Sequence, residues 1–274
     1  MAGGFSSLIY FILFVVIMVM VFKTNVLAGL IFVLVVTGFY LYIKRAAIFA
    51  FIGRMAYGKG NMQDALKWFE KAYKTGVAKP QTIVSYGYLL LKSGKIEDAE
   101  NVLDRLSRRR LSENDRMVLR SNMALVQWKK GNLDEAISTL EEVIKKYETT
   151  NIYGSLGYML IQKGDLDKAL DFNLKASEYN SSSAIIMDNL GHTYYLKDNY
   201  DKAAEIYENI MESNPSFPEA YYNYALVLKA KKEYSKALET VKKALNYQLT
   251  FLSTITKSQI DSLISELENL SAVE

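Results

Sequence analysis

The chain has 274 residues, half of them hydrophobic, and its 33 Lys+Arg against 30 Asp+Glu give a formal net charge of +3. It has no cysteine and one histidine, His192, which excludes disulfides, cysteine nucleophiles, and thiolate or multi-histidine metal sites. Setting aside Lys23, Lys44 and Arg45, which flank apolar segments, leaves 30 residues of each sign, so the basic excess of a nucleic-acid binder is missing.

The N-terminus contains two apolar runs, 5–22 and 26–43, with no charged residue in either. At helical rise each is about 27 Å long, close to the hydrocarbon thickness of a bilayer. Because only residues 23–25 separate them, they predict a hairpin of two transmembrane helices within residues 1–45. The alternatives are one bent or re-entrant segment, or an uncleaved signal peptide, although the positive n-region of a signal peptide is absent.

The cations that flank the hairpin predict its orientation. Lys23 alone lies on one side, whereas the other side carries the α-amino group and Lys44, Arg45, Arg54 and Lys59. We therefore expect an integral protein of a bacterial cell membrane, with the N-terminus and the remaining domain in the cytoplasm. The bacterial setting is inferred from the compact hairpin and from the frequent Lys, Tyr and Asn.

Residues 46–249 contain a repeat of about 34 residues. An alanine after Asp, Glu or Lys recurs at spacings of 34, 37, 33, 34 and 34: Ala65, Ala99, Ala136, Ala169, Ala203 and Ala237. A turn residue lies five positions before each alanine: Gly60, Gly94, Gly131, Gly164, Asp198 and Lys232. A small residue lies twelve positions before it: Gly53, Gly87, Ala124, Gly157, Gly191 and Ala225. Small residues let two antiparallel helices approach closely, so the spacing predicts six stacked helix pairs in an all-α solenoid.

The repeat resembles the tetratricopeptide repeat (TPR) family over residues 46–249. The fifth copy matches the family pattern best: Asn189, Leu190, Gly191 and Tyr194, then Tyr200 and Ala203, then Tyr207 and Pro215. The third copy departs most, with Arg120 in place of a large apolar residue and Ala124 in place of glycine. The 37-residue spacing before it predicts an extended loop near residues 108–116.

Both ends of the repeat array are predicted to continue as helix. Only Lys44 and Arg45 separate the second apolar run from the first repeat helix, so the two are expected to be continuous. After the last repeat, residues 256–270 have apolar side chains at helical spacing, with Ser258 or Thr256 as the capping residue. The resemblance implies that residues 250–274 form a C-terminal solvating helix over the last repeat.

The sequence shows no catalytic constellation, cofactor site or metal site. Residues 53–60 nearly match a phosphate-binding loop, but Gly60 replaces the required Ser or Thr, and no strand precedes the motif. His192 has no partner at the spacing of a catalytic triad. We therefore predict a protein that is not an enzyme and requires no cofactor.

The TPR resemblance implies a concave face that binds peptides. Its candidate residues, the groove set, are Tyr88, Asn122, Leu125, Trp128, Tyr158, Gln162, Asp188, His192, Tyr195, Tyr222 and Lys229. Aromatic and amide side chains suit a protein interface, although Asn122, Asn189 and Asn223 also occupy a commonly structural position. The cations of the carboxylate clamp found in some TPR domains are absent, which argues against that binding mode.

A second candidate surface is basic. Six of the eight arginines lie within residues 105–120: Arg105, Arg108, Arg109, Arg110, Arg116 and Arg120. Such a cluster suits anionic lipid or an acidic partner. The alternative is a solvated surface whose cations complement a helix C-terminus.

The leading hypothesis is a membrane-anchored TPR scaffold or adaptor that recruits a protein partner at the cytoplasmic membrane face. Its expected partners are a protein and the lipid bilayer, not nucleic acid. The alternative is an assembly or quality-control factor for a membrane or envelope complex, with the transmembrane hairpin as its binding surface.

Overall fold

The computed structural model describes residues 2–272, and side chains over residues 12–272. Within the described residues the chain is all-α and contains fourteen helices. The helices divide into two compact units, Met1–Thr82 and Ile83–Glu274, here called unit 1 and unit 2.

Unit 1 contains α1 (Ala2–Thr24), α2 (Val26–Gly58) and α3 (Met62–Lys74). Asn25 alone interrupts the helical backbone between α1 and α2, and its side chain caps α2 by accepting the Ala28 N–H at 3.1 Å. The predicted continuity is confirmed, because α2 runs for 33 residues through the second apolar run and the first repeat helix.

One of the two predicted membrane spans corresponds to a helix of sufficient length and apolar composition. Among the described residues, α2 is the one helix long and apolar enough to cross a membrane, whereas the first run contributes the shorter apolar stretch Ile12–Thr24. The side chains of residues 5–11 lie outside the described part of the chain. The transmembrane hairpin of two helices is therefore not confirmed, although α1 packs on α2, with the Phe14 and Phe32 ring centroids 6.0 Å apart.

Unit 2 begins within the fourth helix and stacks helix pairs as a solenoid. Its helices are α4 (Pro80–Lys92), α5 (Ile96–Ser107), α6 (Glu113–Lys129), α7 (Leu133–Ile144), α8 (Thr150–Lys163), α9 (Leu166–Tyr179), α10 (Ala184–Leu196), α11 (Tyr200–Glu212), α12 (Pro218–Ala230), α13 (Tyr234–Ala244) and α14 (Lys257–Ser271). Each pair from α4/α5 to α12/α13 corresponds to one repeat of the sequence.

The repeat spacing correctly identifies both the turns and the close helix contacts. All six turn residues have positive φ angles, including Asp198 at 57° and Lys232 at 64°, where the left-handed backbone disfavours a side chain. The six alanines that define the repeat are fully buried. A Cβ atom built on Gly191 would lie 2.8 Å from the Tyr207 ring, so this helix pair requires glycine there.

The third repeat differs from the sequence prediction. The loop covers only residues 108–112, because Ser112 caps α6 by accepting the Asp115 N–H at 3.1 Å. Helix α6 is 17 residues long, whereas α4 and α10 have 13 each. The predicted extended loop near residues 108–116 is therefore wrong, since much of the added length extends the helix and satisfies backbone hydrogen bonds.

The last helix covers the apolar face of the sixth repeat, as expected of a solvating helix. Thr256 is its N-cap, and Gln259 completes a capping box with it. Ile260, Leu263 and Leu267 are buried in one cluster with the side chains of α11, α12 and α13.

Candidate functional site

Three groove residues contact one another across α6 and α8. The indole N–H of Trp128 donates to the Gln162 side-chain oxygen at 2.6 Å, and the Trp128 ring meets the Tyr158 ring edge-on at 5.7 Å. Tyr158 is half-buried, and this burial raises the pKa of its hydroxyl. These side chains form an aromatic surface with polar atoms at its edge.

A second cluster links α10 and α12. His192 lies edge-on to Tyr195 with ring centroids 6.1 Å apart. Burial lowers the pKa of the imidazole, and the nearby Asn223 side chain of α12 opposes this effect. Tyr222 is half-buried, and its pKa is raised by burial and by the nearby Tyr195 and Glu266. Half-buried aromatic residues of this kind retain surface that a partner can contact.

Asp188 must be removed from the groove set. Its side chain is only 7% exposed and accepts hydrogen bonds from the Tyr207 hydroxyl at 2.9 Å and from the Asn223 amide at 3.1 Å. Burial raises the pKa of the Asp188 carboxyl to about 7, although both hydrogen bonds lower it. The residue therefore joins α10, α11 and α12 internally and offers no surface to a peptide.

The remaining groove residues have mixed surroundings. Lys229 forms an ion pair with Glu266 of α14 at 2.7 Å. The Asn122 amide donates to the Val118 carbonyl of its own helix at 2.8 Å, which is a local structural contact. Tyr88 and Leu125 are half-buried, on α4 and α6 respectively.

Asn189, which the sequence placed at a commonly structural position, is buried and donates to the Gly154 carbonyl at 2.7 Å. This bond joins the first helices of two successive repeats, α8 and α10. The asparagine is therefore structural.

The loop between α13 and α14, residues 245–256 (the bridging loop), lies against the first helices of several repeats. The Phe251 backbone N–H donates to the carbonyl of Lys92, the last residue of α4, at 3.1 Å. The Lys129 ammonium of α6 lies 5.3 Å from the centroid of the Phe251 ring. The Thr254 N–H donates to the Glu219 carboxylate of α12 at 3.0 Å.

Sequence reasoning missed this loop and its partners Lys129 and Glu219. The sequence interpretation of residues 250–274 as a solvating helix assigned no role to the segment before Thr256. The available signal was Phe251, a large aromatic residue outside any repeat position, which helical periodicity does not explain.

The six arginines of the basic patch have different environments. Arg108 pairs with Asp104 at 2.6 Å, and Arg120 pairs with Glu142 at 2.5 Å. The other four are exposed and form no ion pair among the described residues: Arg105, Arg109, Arg110 and Arg116. The charge available to an acidic partner or to anionic lipid is thus smaller than the sequence count.

Across the part of the chain that the structure describes, no group of three or more His, Asp or Glu residues could hold a metal ion. Residues 53–60, which the sequence excluded as a phosphate-binding loop, are helical over residues 53–58 and turn at Gly60, which is not a phosphate-binding geometry. The arrangement suits binding to a peptide or protein surface, as is typical of repeat scaffolds.

Comparisons with known proteins agree with this architecture. The family described as "Tetratricopeptide repeat protein 21 second ARM domain" matches residues 6–260. The curated protein "BBSome complex member BBS4" of Bos taurus is 24% identical over 172 residues, covering 63% of this chain and 31% of that protein. This chain therefore spans about a third of that relative.

Two solved structures share the fold. The APC/C hetero-tetramer Cut9–Hcn1 has a TM-score of 0.65 at 15% identity and covers 81% of this chain and 42% of that chain. A tetratricopeptide repeat protein from Parabacteroides merdae ATCC 43184 has a TM-score of 0.55 at 14% identity, covering 83% and 87%. At such identities the likeness concerns the fold alone.

Proposed function

Because the chain belongs to the family of the tetratricopeptide repeat protein 21 second ARM domain, we propose that it is a membrane-anchored scaffold that binds a protein partner. Repeat proteins of this type generally mediate protein–protein interactions. The observation that carries the proposal is the surface of half-buried aromatic residues on the first helices of successive repeats, Trp128, Tyr158, Tyr195 and Tyr222. Rigid aromatic side chains with polar atoms are enriched at protein interfaces.

The anchor in this proposal is α2, with α1 beside it. Large apolar side chains along residues 26–43 are exposed, and Leu34 reaches 72%. An apolar surface of this extent is a liability in water and is expected of a helix in lipid. Lys44 and Arg45 follow the apolar run directly and supply the interfacial cations.

The proposed location is a bacterial cell membrane, with unit 2 in the cytoplasm. It rests on the flanking charges, since Lys44, Arg45, Arg54 and Lys59 lie C-terminal to the apolar run, while Lys23 alone lies between the two runs.

The alternative role, an assembly or quality-control factor that binds through the hairpin, is favoured by one observation. A Cβ atom on Gly29 would lie 2.5 Å from the Phe22 ring, so α1 and α2 pack closely enough to form a defined surface. Replacing residues 1–45 by an unrelated anchor, joined in helical register with the rest of α2, separates the two roles.

The proposal is tested by photo-crosslinking the full chain in its native membrane, followed by mass spectrometry. A specific protein partner is expected to be captured by the wild type and lost from Tyr158→Ala, Tyr195→Ala and Tyr222→Ala together. Tyr179→Ala is the matched control, since this tyrosine lies exposed on α9 and stacks on Tyr153 at 4.4 Å. Equal capture by the triple variant and the control would refute a role for the aromatic surface.

A further inference from the structure

We propose that the bridging loop is a built-in occupant of the peptide site, and that the partner's peptide presents similar chemistry and replaces it. That peptide carries an aromatic residue in the place of Phe251 and a hydroxyl residue three positions later, in the place of Thr254. The inference rests on the proposed function, because it names the regulation and the ligand class of the same aromatic surface.

The bridging loop is anchored at both ends in the sixth repeat and α14. Near its start, Tyr247 stacks on Tyr221 of α12 with ring centroids 5.3 Å apart and hydroxyl oxygens 3.1 Å apart. Near its end, Ile255 is buried in the same core as α14. Leu249 also packs against this core, so the residues that can move away without releasing either anchor are 250–254.

The tip of the loop is a turn, in which the Ser253 N–H donates to the Thr250 carbonyl at 3.0 Å. The turn places Phe251 at the α4–α5 connection, where a Cβ atom on Gly94 would lie 3.5 Å from the phenyl ring. The Lys129 ammonium completes this aromatic position by a cation–π contact. At this position the repeats therefore contact one aromatic ring and accept one hydrogen bond, from the Phe251 backbone N–H to the Lys92 carbonyl.

The second position lies between α8 and α12. The Thr254 backbone donates to Glu219, and its side chain lies near enough to the Tyr158 hydroxyl to lower the pKa of that tyrosine, which partly offsets the effect of burial. Glu219 also lies close enough to Lys129 to raise the pKa of its ammonium against the opposing effect of burial. Because Glu219 is anionic, this position favours a neutral or cationic residue over an acidic one.

The tip residue Phe251 is held less firmly than a core residue. Phe251 remains 39% exposed, and its backbone is held by one hydrogen bond to α4. A single hydrogen bond contributes little net stability. A short tethered segment nevertheless competes at an effective concentration on the order of millimolar, so it suppresses weak ligands and yields to strong ones.

The test uses a disulfide that locks the loop in place. A Cβ atom on Gly94 would lie 3.9 Å from the Phe251 Cβ, within the separation that a disulfide spans. The chain has no native cysteine, so Gly94→Cys with Phe251→Cys introduces the only thiol pair. The probe is a fluorescent peptide with the sequence of residues 245–256, added to the full chain in detergent and followed by anisotropy.

We expect the reduced double variant to bind the probe about tenfold or more tightly than the oxidised form, since the lock removes the vacant state. The single variant Phe251→Ala should also bind it more tightly than the wild type, whereas Gln248→Ala, at an exposed loop position, should match the wild type. A probe with alanine in place of the phenylalanine should lose affinity. Because Gly94 has a φ of +78°, the Phe251→Ala result provides the check that needs no cysteine at the strained site.

The inference is overturned if the disulfide does not form on oxidation, or if the probe binds the open and locked forms equally. These outcomes differ from failure of the proposed function. If the wild type and the reduced double variant crosslink no protein in the native membrane while the probe still distinguishes open from locked, the loop site stands and the scaffold role fails. If partner capture is equal for the oxidised and reduced forms, the scaffold role stands and the loop does not regulate it.

Discussion

Units 1 and 2 use the same apolar residue types in opposite ways. In unit 2 the leucines Leu156 and Leu160 are buried between helices, whereas in unit 1 the leucines Leu30 and Leu34 of α2 are exposed. In the C-terminal half of α2, where α3 packs, Ala46, Ala50 and Gly53 are buried. In the apolar run of the same helix, only Gly29 is buried. Unit 2 is thus stabilised by burying side chains within protein, whereas the first half of α2 leaves its large apolar side chains exposed, as the proposed membrane anchor would.

The sharpest test of this comparison removes one leucine from each unit. Leu156→Ala, at 0% exposure, should lower the free energy of unfolding of unit 2 by about 2–5 kcal/mol, because it leaves a cavity between α8 and its neighbours. Leu34→Ala, in unit 1, should change the free energy of unfolding by less than about 0.5 kcal/mol. Urea unfolding in detergent followed by circular dichroism gives both values. Similar losses for the two variants would contradict the different surroundings inferred here.

A charge at the same position in α2 tests the lipid surrounding directly. Leu34→Arg should cost about 3 kcal/mol of membrane insertion and shift the chain from the carbonate-washed membrane to the supernatant. Leu34→Phe is the matched control and should remain in the membrane.

Protease added outside intact cells should leave unit 2 uncut, and cleavage there would overturn the proposed sidedness.

A pH-dependent effect distinguishes the buried carboxylate of unit 2. Since burial raises the Asp188 pKa to about 7 from its ordinary value near 4, the folded state binds the proton more tightly than the unfolded state. The stabilisation that the protonated Asp188 carboxyl gives the folded state is fully present below the unfolded pKa and is lost as pH rises through about 7. Each unit of difference between the folded and unfolded pKa corresponds to about 1.4 kcal/mol of this stabilisation.

Asp188→Asn should therefore flatten the decline in stability between pH 4 and pH 7. Asp171→Asn, at an exposed position of α9, is the control and should keep the wild-type profile. Thermal unfolding across this pH range measures both variants. If Asp188→Asn declines as steeply as the wild type, another group causes the pH dependence.

Much of the fold could be predicted because its determinants are local. The turn residues before Ala65 and Ala99 need positive φ angles, and glycine adopts these without a steric penalty. The placement of Thr256 as a cap depends likewise on its neighbours within one turn. The third repeat was harder, because three added residues can lengthen a loop or a helix, and only the cap at Ser112 decides between them.

The candidate site was predicted less well, because side chains of one repeat helix lie at different depths and have different neighbours. Asp188 and Tyr195 lie on the same helix, yet the first is bonded to Tyr207 and Asn223 inside the protein while the second is half-buried beside His192. Repeat alignment identifies the helix face but not the depth of each side chain within it.

The sequence by itself determined the helical repeat, its six turns, the apolar N-terminal segment and the final capped helix. Each follows from periodicity, chain length or backbone preference within a few residues. Only the tertiary structure decided that Asp188 is internal and that Phe251 returns to the end of α4. Contacts between residues so distant in the chain depend on how all the intervening helix pairs stack. No local sequence pattern determines the combined geometry of those pairs.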